Sequence, residues 1–467
     1  MFFDAAFAAA ASSSVSRGHA RGPPVRLMSI GGSMIAGCIP GGCPGSVSGH
    51  KGYDDSCTYP RLFAAKLAKE NGVSFENGAQ GGTSTLSALP LLDTILREGT
   101  DLLLVDYSVN DALALDTSGT AKPRDHSRWS MQVGAATEAL VRHMLARYPR
   151  TALLLVDAYC HETSLQQQKA AIARHYRIPY FAFGEHLQGH HRKAACKRAW
   201  GPRGLPHPNA STHEHIAHTL AAWWLQKVAY DGKVHADLSS TIADLTSANG
   251  NLPGPLRNES LQLLPCRTIT MYDAMRPDST GKIPNVSRGN WTLYADRPGK
   301  PGFISTGPHG SQLTFRLRFG AQPRLVLLYD RSYRGFADAV VQLDGSELAV
   351  GLRGMRTDAQ KITQTELLQF DLTQDITPVY GMPGSRTHWL YHSASARLKA
   401  AGVRGRVQRL AGLMSMDGVE REGEMRHRMN AASLGVVEPF SSRLLRVTLV
   451  TKQDTDAKFK LKLVSSC

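Results

Sequence analysis

A helix-covered parallel α/β domain followed by an antiparallel β-sandwich is the fold class this sequence predicts. Three observations carry that expectation. From residue 26 to 232, short apolar runs alternate with stretches of helical periodicity. Residues 239–260, "SSTIADLTSANGNLPGPLRNES", are rich in Ser, Asn, Gly and Pro and read as a linker. Beyond Cys266 the texture becomes alternating apolar and polar positions between turn residues. At 467 residues the chain is long enough for two cores. The expected organisation is a leader or disordered segment over 1–25, a first domain over 26–235, a linker over 236–264 and a β domain over 265–467.

The first domain's strand candidates are "RLMSI" (26–30), "VSFEN" (73–77), "DLLLVDYS" (101–108), "ALLLVDAY" (152–159) and "PYFAFG" (179–184). They are short and apolar, as strands buried on both faces should be. Helix candidates are Leu62–Asn71, Thr85–Arg97, Trp129–Tyr148, Gln166–Tyr176 and His213–Tyr230. Gly72, Gly99, Pro149 and Pro179 stop the first four. In such a sheet, ligands bind at the carboxyl ends of strands. In the second half, "GNWTLYADRPGKPGFIST", "SQLTFRLRF", "RLVLLYDRSY", "ADAVVQLDG", "RLLRVTLVT" and "KFKLKLVSS" read as alternating strands. Residues 393–432, rich in Ala, Arg and Met, suggest a helical insertion.

Composition excludes some classes. Hydrophobic residues make up 42% of the chain, too many for a disordered protein. No apolar run reaches the ~18 residues a spanning helix needs. The net charge of +15 favours a polyanionic partner. No zinc finger or dense Lys/Arg run points to nucleic acid, so an acidic polysaccharide is the better candidate.

Of seven cysteines, none form a CxxC pair, which argues against a zinc site. Cys266 and Cys467 bracket the β-rich half and are expected to join its ends. Cys38, Cys43 and Cys57 crowd one loop, and two of them are expected to pair. Sequons stand at Asn209, Asn258, Asn285 and Asn290. Sequons and disulfides favour the secretory route. The opening "MFFDAAFAAAASSSVSRGHARGPP", with Asp4 and no basic residue before Arg17, makes a poor signal peptide and keeps a cytoplasmic location as the alternative.

Four short motifs carry the chemistry. Ser33 follows the first strand in "GGSMIAG". Gly82 lies in "NGAQGGTS", Asn110 in "YSVND" and His207 in "LPHPN". A nucleophile, hydrogen-bond donors and a base are the parts of an acyl-transfer site. Taken singly, each has an ordinary explanation: a helix-capping serine, a turn glycine, a strand-end asparagine, a loop histidine. Ile35 stands where a G-x-S-x-G elbow would need its second glycine. Neither a G-x-G-x-x-G loop nor a phosphate-loop lysine is present.

In order and spacing these blocks resemble those of the SGNH hydrolase superfamily, the GDSL-type esterases. The resemblance spans roughly residues 26–232, and the wording is most similar to a eukaryotic, algal-type branch with a C-terminal β domain. It implies a flavodoxin-like three-layer domain with Ser33 as nucleophile and His207 as base. The oxyanion hole would be the Ser33 amide, the Gly82 amide and the Asn110 carboxamide. No cofactor or metal is implied. His213, six residues on, is the alternative base, although the family commonly has a helix-packing residue there. The sequence departs from the pattern at Gly32, at Ser108 and at Gly204, which stands where an acidic partner of the histidine is usual. A main-chain carbonyl of "AWGPRGLP", or Asp54, Asp55 or Asp157, could orient the ring instead. The expected activity is hydrolysis or transfer of a small acyl ester, possible substrates including an acetylated polysaccharide. The alternatives are a weakly catalytic glycan-binding or cell-surface protein and a carbohydrate O-acetyltransferase.

Overall fold

A computed structural model describes residues 24–39, 42–44, 54–115, 123–159, 163–187, 207–234 and 255–256 of the first half. In the second half it describes residues 268–274, 284–296, 300–344, 348–355, 363–373, 377–378, 388–392, 431–432, 437, 439–450 and 457–467. The chain forms two compact units, Met1–Pro265 and Cys266–Cys467.

The strands of the first unit are β1 (Val25–Gly31), β2 (Val73–Asn77), β3 (Leu102–Asp106), β4 (Ala152–Asp157) and β5 (Tyr180–Ala182). Its helices are α1 (Tyr59–Asn71), α2 (Thr85–Ala88), α3 (Leu92–Ile95), α4 (Ser108–Leu115), α5 (Pro123–Arg147), α6 (Thr163–His175), α7 (Phe183–His186) and α8 (Ala210–Val234). The sheet order is β2-β1-β3-β4-β5, all parallel. Every residue of β3 and β4 is buried, because helices cover both faces. On one face Leu27, Leu104 and Leu154 pack with Phe63 of α1 and with Ile216, Leu220 and Trp224 of α8. Chain order reverses between β1 and β3, and the switch-point crevice opens there.

Several first-unit elements differ from the sequence expectation, among them the strand expected over 179–184, which ends at Ala182 where α7 (Phe183–His186) begins. The helix expected over Thr85–Arg97 is α2, a 3-10 turn (Leu89–Leu91) and α3. Pro90 lacks the amide that would continue an α-helical ladder, and the chain tightens around it. The strand expected over 101–108 ends at Asp106. The Ser108 amide donates to Asp106 Oδ1 (2.8 Å), and helix α4 begins at once. The expected leader lies outside the described residues, as do the expected linker apart from 255–256 and the expected insertion apart from 431–432.

The second unit contains β6 (Thr270–Asp273), β7 (Asn285–Arg288), β8 (Trp291–Ala295), β9 (Pro301–Ser305), β10 (Gln312–Arg318), β11 (Arg324–Arg331) and β12 (Asp338–Leu343). It continues with β13 (Leu348–Leu352), β14 (Gln364–Asp371), β15 (Thr377–Pro378), β16 (His388–His392), β17 (Ala431–Ala432), β18 (Ser442–Val450) and β19 (Phe459–Ser466). One sheet runs β16-β13-β12-β18-β10-β7 and the other β14-β11-β19-β9-β8, with β6 also on β19. Phe315, Leu317, Val341, Leu445 and Val447 of one sheet meet Leu325, Leu327, Tyr329, Phe459 and Leu461 of the other in one core. This is the antiparallel sandwich its alternation predicts.

Strand β19 breaks the rule that the polar half of an alternating strand faces water. Lys460 and Lys462 are each 1% exposed. Lys460 Nζ reaches Asp296 Oδ1 and the Lys300 carbonyl, both at 2.6 Å. Lys462 Nζ reaches Thr365 Oγ1 (2.8 Å) and Asp330 Oδ1 (3.1 Å). Burial alone would raise the Asp330 pKa. Lys462, Lys460 and Lys300 outweigh it and hold that carboxyl at about 2.

In the crowded loop of the first unit the bonded pair is Cys43–Cys57. Cys467 is disulfide-bonded as well, and Cys266, its expected partner, lies outside the described residues.

Candidate active site

Strand β1 delivers Ser33 to the switch point. The Gly32 amide donates to the Asp106 carbonyl (3.2 Å), carrying the β1–β3 ladder one residue past the strand. The chain then turns, with the Ala36 amide on the Gly32 carbonyl and the Cys38 amide on the Ser33 carbonyl. Ser33 is left at the sheet edge, largely buried.

His207 arrives from the segment before α8. Asn209 fixes that entry as the helix cap: its Oδ1 accepts the Thr212 amide at 2.9 Å. Ser33 Oγ and His207 Nε2 lie 2.5 Å apart, across 174 residues of sequence. At this distance an Nε2 lone pair can take the hydroxyl proton as the oxygen attacks.

Asn110 sits on the first turn of α4, not at a strand end. The Ser33 amide donates to Asn110 Oδ1 (3.4 Å). In this state the carboxamide presents its oxygen, not its nitrogen, to the serine amide. Gly82 lies in a turn closed by the Thr83 amide on the Gln80 carbonyl, with a φ of 87° that favours glycine. The turn is tied to β1, because the Gln80 amide donates to the Gly31 carbonyl (2.9 Å). Ser33 thus meets both Asn110 and His207 directly, and the Gly82 turn is tied to the strand that delivers Ser33.

Gly32 has a steric reason to stand where the resemblance would place an aspartate. A Cβ there would lie 2.1 Å from Asn110 Oδ1 and 3.0 Å from the Thr83 carbonyl. No side chain fits without displacing Asn110.

His213 is enclosed. Its Nδ1 accepts the Tyr59 amide (3.2 Å), so the ring proton belongs on Nε2, which has no hydrogen-bond partner among the described residues. Burial, and secondarily His207, push its pKa down to about 3. The ring stacks on Tyr59 and stays neutral near pH 7. The linkage has a definite sign. A pKa lowered on folding gives stability that is present above the unfolded value near ~6.5 and is lost as pH falls toward 3, by about 1.4 kcal/mol per pH unit at most. His213→Asn, whose Oδ1 can take the place of Nδ1, is therefore expected to flatten the acid limb of stability between pH 6.5 and 4. Thermal unfolding across that range checks it, and an unchanged slope would show that His213 titrates freely in the native state.

Sequence reasoning missed the charged layer beneath these residues. Tyr59 Oη donates to Asp106 Oδ2 (2.8 Å), and Tyr180 Oη to Asp157 Oδ2 (3.4 Å). Burial raises both carboxyls, Asp157 to about 7, although Lys169 pulls each of them down. Burial works against the Lys169 ammonium, but Asp111, Asp157 and Asp106 outweigh it and raise its pKa. A signal was available in the sequence. On α6, Lys169 shares a face with Leu165, Ile172 and Ala173, all buried.

Each carboxylate suggested as a substitute orienter of His207 is anchored within the first unit. Asp54 Oδ1 accepts the Ser56 amide, Asp55 pairs with Arg61 and accepts from Asn77, and Asp157 accepts from Tyr180. Gly204 lies outside the described residues. Among the described residues, no group of three or more His, Cys, Asp or Glu side chains is placed to hold a metal ion, and no helix is long and apolar enough to cross a membrane.

Solved structures share this fold. A two-domain esterase described as active on acetylated mannans superposes with a TM-score of 0.52 over 95% of this chain and 91% of its own, at 16% identity. The same kind of esterase co-crystallised with mannopentaose gives 0.53 over 95% and 90%, also at 16% identity. The chain has the fold of these two-domain esterases. Its parallel sheet and its β-sandwich both have counterparts, since the match runs through nearly the whole of each chain. No family model matches the sequence, and no curated protein does.

Proposed function

We propose that the first unit is a serine esterase that removes a small acyl group, acetyl being the first choice, from a carbohydrate through an acyl-Ser33 intermediate. The observation that carries the reading is the 2.5 Å approach of Ser33 Oγ to His207 Nε2 at the switch point of the sheet. His207 takes the hydroxyl proton as Ser33 attacks the ester carbonyl, then returns it to the departing sugar oxygen. Water, deprotonated by the same imidazole, releases the acid and regenerates Ser33. The charge that develops on the carbonyl oxygen would be met by the Gly82 and Ser33 amides and by Asn110 Nδ2. For that, the Ser33 amide must exchange Asn110 Oδ1 for the oxyanion, and the 3.4 Å length of the present bond makes the exchange inexpensive.

The carbohydrate part of the proposal is supported by the mannan-active neighbour, and the small acyl group by its acetylated substrate. The net charge of +15 suits an acidic or mixed polysaccharide better than a lipid. A secretory location fits the Cys43–Cys57 bond and the exposed Asn209 and Asn290 of two sequons.

The test has two arms. A fluorophosphonate should label Ser33 and fail to label Ser33→Ala. Acetylated mannan, acetylated xylan and p-nitrophenyl esters of increasing chain length should then be compared, with acetate release from a polysaccharide expected and turnover falling beyond short acyl chains. An unlabelled Ser33 would favour the glycan-binding reading. Acyl transfer to a sugar in preference to water would favour the transferase.

A further inference from the structure

We propose that Lys169 is a positioning residue for this site, acting through Asp111 to fix the spacing between the Gly82 turn and Asn110. The inference rests on the esterase reading above.

Asp111 directly follows Asn110 on α4, and Thr85 lies three residues after Gly82. The Asp111 carboxylate grips Thr85 twice. Its Oδ1 accepts the Thr85 amide (2.9 Å) and its Oδ2 accepts Thr85 Oγ1 (2.7 Å). Lys169 Nζ closes on the same Oδ2 at 3.0 Å. All three residues are buried. One carboxylate therefore joins the start of α2, the first turn of α4 and the middle of α6.

The linkage has little slack. Only Thr83 and Ser84 separate Gly82 from Thr85. Thr83 Oγ1 donates to the Gln80 carbonyl (2.6 Å), and Ser84 forms a reciprocal capping box with Ser87. A shift at Thr85 is passed to the Gly82 amide, and a shift at Asp111 to the neighbouring Asn110 side chain. These are two of the groups that would meet an oxyanion, where displacements of about 1 Å can cost on the order of 10²-fold in rate.

Lys169 supplies the positive charge that this carboxylate meets in the interior. Asp106 and Asp157 lie close enough to influence the same ammonium, so the layer holds three carboxyls against one lysine. Without Lys169, Asp111 would be a buried anion beside two more acids, and its double grip on Thr85 would weaken. A lysine that served only as a core staple would change stability and leave turnover per folded molecule alone.

The experiment uses the full chain with p-nitrophenyl acetate and compares Lys169→Met, Asp111→Asn, the double variant and Thr85→Val. Lys169→Met and Asp111→Asn are each expected to lower kcat 10- to 100-fold in the folded fraction, with KM within about threefold of wild type. The double variant should be no worse than the poorer single, because both act through one contact. Thr85→Val keeps the backbone donor and the shape, so it should fold even if the charge variants do not, and its kcat should fall severalfold. Wild-type kcat in Thr85→Val, or single losses that multiply in the double variant, would overturn the proposal. Wild type inert to all esters, or a Ser33→Ala variant that still turns them over, would overturn the esterase reading and this inference with it.

Discussion

Ser33→Ala is expected to lower ester turnover by roughly 10⁴- to 10⁶-fold, as loss of the nucleophile does in serine hydrolases. His207→Ala should match it, and the double variant should be no worse, because nucleophile and base act as a unit. Neither change should disturb the fold. Ser33 Oγ meets His207 at the sheet edge, and His207 is only half-buried. His213→Ala should behave in the opposite way, unfolding more readily while keeping turnover in the folded fraction, because its Nδ1 serves the Tyr59 amide and not the serine. Steady-state kinetics beside thermal unfolding separates the three. If His213→Ala abolishes turnover at full stability and His207→Ala spares it, the base is misassigned.

Gly32→Ala should cost about 10²- to 10³-fold in kcat, comparable to losing one oxyanion donor, although it adds only a methyl group. The new Cβ would lie 2.1 Å from Asn110 Oδ1, a contact only movement can relieve. The same Cβ would also crowd the Thr83 carbonyl at 3.0 Å. Asn110 must therefore rotate away from Ser33. Gly32→Asp, which restores the residue usual in the resembling family, should be at least as harmful here. Recovery of activity by Gly32→Asp would mean that the Asn110 carboxamide has a second working orientation.

The parallel sheet was legible because its central strands are apolar runs separated by helical periods, as burial on both faces demands, whereas the edge strand β2, "VSFEN", stays partly exposed. Boundaries were less legible where a single side chain decides them. Asp106 Oδ1 captures the Ser108 amide and ends β3 early, which moves Asn110 from a strand end to a helix. Pro90 splits the helix expected after Ser84. In the sandwich, β14 was not among the expected strands. Its "QTELLQFD" alternates poorly because seven of its eight residues are buried.

By itself the sequence determined the order of elements, the two-part organisation of texture, and a short set of chemically able side chains in four motifs. These follow from local physics: periodicity, turn residues, and polar groups placed just after apolar strands. Only the tertiary structure decided what those side chains meet. Ser33 reaches His207 across 174 residues, and Tyr59 reaches His213 across 154. Lys169, Lys460 and Lys462 have the composition of surface residues, yet all three are buried. The physical reason is that a charge can leave water only where an opposite charge waits. That partner, Asp111 for Lys169 and Asp330 for Lys460 and Lys462, is supplied by a different element of the fold.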